Sequence, residues 1–190
     1  MRGLFPTTGH IMFEKIDAID TKISKIVRMD HGKSPWWSLV IFFAHSGDSW
    51  FWLAGLLISL ILFPSRRPMA AFLIAAILGL AVIVMVIKFT VRRSRPPGDW
   101  GAVYRNTDPH SFPSGHAARA SLLAVIAVLT GPFWIAILMV IWAILVSLSR
   151  VLTAMHYFSD IVAGILLGIA VGQFVVLIRP LLTALLPAVF

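Results

Sequence analysis

Met69-Ala70-Ala71-Phe72-Leu73-Ile74-Ala75-Ala76-Ile77-Leu78-Gly79-Leu80-Ala81-Val82-Ile83-Val84-Met85-Val86-Ile87 is nineteen residues without a charge, and it ends directly on Lys88. As a helix rising about 1.5 Å per residue it covers roughly 28 Å, close to the hydrocarbon thickness of a bilayer. The whole chain agrees with this stretch. Its 190 residues are 59% hydrophobic and 13% charged, with a mean hydropathy of +0.91. That balance is too apolar for a soluble domain of this size and predicts an integral membrane protein.

On the N-terminal side, Pro64-Ser65-Arg66-Arg67-Pro68 is a basic, helix-breaking turn. Before it, an apolar run predicts a first span at about 47–63, and the run quoted above predicts a second at 69–91. Ser38–Ala44 is too short to span alone, and Trp36-Trp37 reads as an interfacial anchor. Residues 11–29 carry Met12, Ile16, Ile19, Ile23 and Ile26 at alternating spacings of four and three, with charges between them. This is the pattern of an amphipathic helix on the membrane surface; packing against a second subunit is the other reading. On the C-terminal side, a polar stretch from Arg92 to Pro113 precedes spans at about 116–130, 132–149 and 157–178. The expected fold is all-α: a polytopic membrane bundle of about five to six transmembrane helices with an N-terminal amphipathic helix. Residues 1–46 form the interfacial segment and 47–190 the transmembrane domain. Gly164, Gly168 and Gly172 form a small-residue stripe for close packing inside the bundle or, alternatively, across a homodimer.

The net charge is +8. In a soluble chain this would suggest nucleic acid. Beside apolar spans the expected partners are anionic headgroups of the bilayer instead, with no nucleic acid. No cysteine occurs, which excludes disulfides and thiolate metal sites. Met1–Pro6 shows no apolar core or cleavage pattern of a signal peptide.

Consecutive spans alternate in direction. The end of the second span, the start of the third, the end of the fourth and the start of the fifth therefore share one membrane face. Lys88, Arg95, Ser114, His116, Arg150, His156 and Asp160 all lie at those four places. Pro113-Ser114-Gly115-His116 breaks the chain before an apolar run, leaving N–H groups that attract an anion. Lys88, Arg95 and Arg150 suit a phosphate dianion, although either span-end cation alone would read as snorkelling. His156 and Asp160 are four apart, within reach on one helical face. The carboxylate would then hold one ring nitrogen and free the other to attack. The competing reading makes Asp160 a helix cap. Three cations repel a metal, so neither a metal nor another cofactor is expected.

Lys88-x6-Arg95-Pro96, Pro113-Ser114-Gly115-His116 and Ser149-Arg150-x5-His156-x3-Asp160 together resemble the three ordered motifs of the type 2 phosphatidic acid phosphatase (PAP2) superfamily. The resemblance implies a metal-independent phosphatase working through a phosphohistidine. It makes His156 the nucleophile, Asp160 its orienter and His116 the acid for the leaving oxygen. Lys88, Arg95, Ser114, Gly115 and Arg150 would bind phosphate.

A site at headgroup depth points to a lipid phosphate as the substrate partner: phosphatidic acid, phosphatidylglycerophosphate, undecaprenyl diphosphate or a lipid A type. A lipid phosphotransferase is one alternative and a non-catalytic lipid-phosphate carrier or scaffold another. Arg119, one turn beyond His116, is a candidate for selecting substrates with a second anionic group. Lysine and arginine counts on the site face argue for a cytoplasmic site. Several of those residues bind phosphate, however, and the resemblance implies an outward-facing site in a bacterial inner membrane, which is the reading adopted.

Overall fold

The computed structural model describes residues 8–29, 35–97, 108–187 and 189, with side chains from Ile16 onward. Residues 98–107 of the polar stretch, and the side chains of Met12, Glu14 and Lys15, lie outside the described residues. Among the described residues seven α-helices occur: α1 (Thr8–Val27), α2 (Trp37–Ser46), α3 (Ser49–Leu62), α4 (Arg67–Val91), α5 (Gly115–Thr130), α6 (Phe133–Leu152) and α7 (Phe158–Leu185). There is no strand among the described residues; Ser94 and His110 form an isolated bridge.

Local chemistry sets the helix ends. Pro68 lies in the first turn of α4, where a missing N–H costs nothing, and Arg92 stops that helix in the left-handed region at φ 54°. Ser114 caps α5, its hydroxyl accepting from the Ala117 N–H at 3.4 Å. Gly131 and Pro132 separate α5 from α6.

Among the described residues three segments are long and apolar enough to cross a membrane: Pro64–Val91, Phe133–Leu152 and Phe158–Leu185. The helices at the other two expected spans are shorter. With 14 residues in α3 and 16 in α5, they measure about 21 and 24 Å, against a core of roughly 30 Å. The five expected spans are thus three long helices and two short ones, each close to its expected bounds at its start. Both short helices begin at the level of the site, and α2, with 10 residues, is short as expected. The last helix runs past the expected 178 to Leu185 and carries Pro180 within it.

The bundle is built around α5. Phe72, Ala76, Ile77, Leu80 and Val84 of α4 pack on Ala118, Leu122, Leu123 and Ile126 of α5. On another side Ala120 and Ala124 meet Ala143 and Val146 of α6. The glycine stripe of α7 also faces α5 of the same chain. A Cβ at Gly168 would stand 2.1 Å from the Ala118 carbonyl oxygen, and one at Gly164 would stand 2.5 Å from that of Ser114. Small residues let these two backbones approach, which is how helices associate where lipid removes the hydrophobic drive. Large side chains such as Val82, Val86, Phe133 and Leu177 face outward, as expected of lipid-facing surface.

Helix α1 turns one acid inward. Asp20 is buried, whereas Ile19 and Ile26 are exposed. The helix is tied to the bundle by Arg93, which donates to Asp17 and Asp20, both at 2.6 Å, and to Asp160 at 2.7 Å. Val27 packs beside Ala117, Val151 and Ile161.

Candidate active site

The end of α4, the starts of α3 and α5 and the turn before α7 meet around a cavity of about 440 Å³ whose lining includes Lys88, Gly115, His116, Arg119 and His156. Arg95 joins it from the chain just after α4, its Nη1 lying 3.3 Å from His156 Nε2. Arg150 ends α6 and is fully buried. Its carbonyl accepts from the N–H groups of Met155 and His156 at 3.1 and 3.3 Å, which folds the α6–α7 turn back over the site. Arg150 also reaches the Ala44 carbonyl at 3.3 Å, fastening α2 to the same end. Ser114 is buried, and its N–H donates to the Asp160 carbonyl at 3.0 Å. The first bond inside α5 runs from Ala118 to Ser114. The N–H groups of Gly115 and His116 precede it and remain for an anion.

His156 is the most constrained of these groups. It is 1% exposed. Nδ1 lies 2.8 Å from the Ser111 carbonyl, an acceptor only, so Nδ1 carries the hydrogen. Nε2 then bears the lone pair and accepts from Arg95. Both contacts are satisfied by one species, the neutral Nδ1–H tautomer. Burial, then the charges of Arg95, Arg150 and Lys88, hold the imidazole well below the ordinary histidine pKa. His156 is therefore a neutral base with its lone pair aimed into a cluster of cations.

Asp160 is placed differently from the sequence expectation. His156 precedes α7, which starts at Phe158, so the spacing of four does not set the two on a common helical face. Asp160 Oδ2 lies 3.7 Å from His156 Nδ1, beyond hydrogen-bond range. It accepts instead from the Tyr157 N–H at 2.9 Å, capping α7, while Oδ1 takes Arg93. The tautomer of His156 is held by the Ser111 carbonyl, with the Asp160 charge behind it.

Two carboxylates, Asp108 and Asp48, complete the site. Asp108 Oδ2 lies 2.5 Å from Lys88 Nζ and 2.8 Å from Arg95 Nη2, placing a carboxylate between the cations that suit a phosphate. The Asp108 carbonyl also accepts from Arg95 Nε at 2.8 Å. His116 Nε2 lies 2.6 Å from Asp48 Oδ1. Burial opposes ionisation of Asp48, but hydrogen bonds with His116 and His45 outweigh it and pull its pKa to about 2. The sequence carried a usable signal for Asp48. It begins the first span, and the same alternation of directions puts that point on the site face. The Ser111 carbonyl carried none, because a backbone acceptor is the same in every residue. Arg119 lies where expected, lining the cavity, and donates through Nη1 to the Gly47 carbonyl.

From Lys88 the cavity runs down one face of α4, over Met85, Val84, Ala81, Leu80 and Ile77, with Trp50 of α3 opposite. These residues recur at helical spacing over about 16 Å at 1.5 Å per residue. A polar, cation-rich head thus opens into an apolar slot between two helices.

Fold and site define an integral membrane helical protein with its polar chemistry gathered at one end of the spans. The chain belongs to the PAP2 superfamily, which it matches over residues 69–184. It is 34% identical over 134 residues to an undecaprenyl-diphosphatase of Sulfolobus acidocaldarius, covering 68% of this chain and 64% of that relative. It is 35% identical over 127 residues to a decaprenylphosphoryl-5-phosphoribose phosphatase of Mycobacterium tuberculosis, covering 65% and 69%. The chain therefore spans just under two thirds of the archaeal relative's length. Among solved structures, a transmembrane PAP2 type phosphatidylglycerolphosphate phosphatase from Bacillus subtilis shares the fold. Its TM-score is 0.70 at 22% identity over 87% of each chain. Aquifex aeolicus LpxE shares it with a TM-score of 0.62 at 22% identity, over 84% of this chain and 93% of that one.

Proposed function

We propose that the chain is a membrane lipid phosphatase that works through a phosphohistidine on His156. The observation that carries this reading is the neutral, Nδ1–H form of His156, with Nε2 facing Arg95 beside Lys88. A structural histidine would not need its lone pair turned toward cations. In the first step Nε2 attacks the terminal phosphorus, and the P–O bond to the leaving group, a lipid alkoxide or a lipid phosphate, breaks with its electron pair on that oxygen. His116 supplies the proton to that oxygen. Lys88, Arg95, Arg150 and the α5 N-terminus take up the charge on the three equatorial oxygens. In the second step water attacks phosphorus and gives a proton back to His116. The P–N bond then breaks, returning neutral His156 and phosphate.

The apolar slot supports a lipid substrate, its headgroup among the cations and its chain along α4. Two relatives are named for polyprenyl substrates, and a polyprenyl diphosphate is the preferred class. Arg119 is the cation placed to meet a second phosphate. The resemblance to the PAP2 motifs supports an outward-facing site in a bacterial inner membrane.

Turnover of a panel of lipid phosphates in detergent, read as released phosphate, tests the proposal. Activity is expected to persist in excess EDTA, because protein cations fill the role of a metal. Vanadate is expected to abolish it by adopting the five-coordinate phosphoryl geometry. Loss in EDTA with rescue by Mg²⁺ would refute metal independence. The pH profile gives a second check. Attack needs neutral His156, and its conjugate acid loses its proton well below the ordinary value. The acid limb of kcat/KM, which reports the free enzyme, is therefore expected below about pH 6.5. A limb at or above that value would count against His156 as the group that must be neutral.

A further inference from the structure

Asp48 stands at the N-cap of α3, with φ −66° and ψ 139°, and makes no side-chain capping bond. An aspartate at this position ordinarily accepts from an N–H of its own first turn. This one reaches across the cavity to His116, 68 positions further along the chain, at 2.6 Å. The turn that carries it is held from both sides. Arg119 donates to the Gly47 carbonyl, and the Asp48 N–H donates to the His45 carbonyl at 2.9 Å. His45 Nδ1 lies 3.2 Å from the other carboxylate oxygen. The His116 ring is packed on the same turn, since a Cβ at Gly47 would stand 3.1 Å from His116 Cδ2. The Cδ2–Nε2 edge of the ring is thereby taken, which leaves the Nδ1 edge for a ligand in the cavity that both residues line. Arg119 and Arg150 both bring positive charge to this ring. Asp48 is the carboxylate placed to balance the ring when it carries the proton of the proposed acid step.

We propose that Asp48 is a positioning residue for the acid: its carboxylate holds Nε2–H of His116 and makes Nδ1 the nitrogen that gives the proton to the leaving oxygen. The proposal rests on His116 being the acid in the reading above. Asp48 lies outside the matched region and outside all three motifs. In the chemical step Asp48 stays ionised. The Nδ1–H bond of His116 breaks, the proton goes to the leaving oxygen, and the neutral ring keeps its Nε2–H on Asp48. The reverse transfer from water restores the imidazolium.

The test compares two substrates that differ in how much the leaving oxygen needs a proton. Dodecyl phosphate leaves as an alkoxide and p-nitrophenyl phosphate as a stabilised phenolate. Positioned acids and bases contribute about 10²–10⁴ in rate. Asp48→Ala is therefore expected to lower kcat on dodecyl phosphate by about 10² or more, and on p-nitrophenyl phosphate by less than about tenfold. Retained aryl turnover reports that the variant is folded. Asp48→Glu should recover part of the alkyl activity, and adding Asp48→Ala to His116→Ala should cost little more, since the two act as one unit. An equal loss on both substrates, or a fully additive double variant, would overturn the role of Asp48. If His116→Ala itself shows no bias between the substrates, the assignment of His116 as the acid fails, and the proposal with it. A biased His116→Ala beside an unbiased Asp48→Ala rejects the role of Asp48 alone.

Discussion

Replacing His156 by alanine is expected to abolish turnover on every substrate. The proposed reaction passes through a P–N bond, and no other described side chain offers a neutral lone pair held toward the cations as His156 Nε2 is. His116 does not substitute for it, because its Nε2 is bonded to Asp48. Folding should survive the change, since the buried ring donates only to the Ser111 carbonyl, which could take a water in its place. The intermediate itself is the sharper measurement. Rapid quenching at alkaline pH with ³²P-labelled substrate should trap an acid-labile, base-stable phosphoprotein whose label maps to His156. Label on His116 would exchange the roles of the two histidines. Undiminished turnover in His156→Ala would remove the mechanism.

The second large effect is expected at Arg95. Its guanidinium presents one plane of donors to acceptors that include the Asp108 carbonyl and carboxylate, the Met155 carbonyl, and His156 Nε2. It therefore fixes the nucleophile and supplies charge to the phosphoryl group at once. Removing one preorganised donor of this kind costs about 10²–10³ in kcat in a well-studied protease. Arg95→Ala is expected to lose at least that much, about 10³ or more. Arg95→Lys should recover little of it, because a single ammonium cannot reproduce a fork that holds all these acceptors. The loss should appear in kcat more than in KM, since Lys88 and the α5 N-terminus still hold the ground-state phosphate. A variant that changes only KM would show that Arg95 binds substrate without acting on the transition state. A fully active Arg95→Lys would show that charge alone is sufficient.

The amino-acid sequence by itself determined the helical membrane class, the order of the apolar runs and the membrane face of the polar residues at their ends. The reason is topological. A chain of apolar runs must reverse direction at each crossing, so Lys88, His116, Arg150 and His156 fall on one side whatever the packing. The three motifs then named the family. Tertiary structure decided what these residues bond to. It left α3 and α5, which both start at the site, shorter than a bilayer core. It turned Asp20 of α1 inward, because its partner Arg93 lies 73 positions away, beyond any local pattern. It put Asp160 on the Tyr157 N–H and Arg93, because His156 lies before the helix on which the spacing rule would operate. The tautomer of His156 fell to a backbone carbonyl, Ser111, a group that every residue carries and no sequence pattern can mark. Asp48 meets His116 for the same kind of reason: a short turn between two helices, far away in the chain, is brought beside the ring only when the bundle closes.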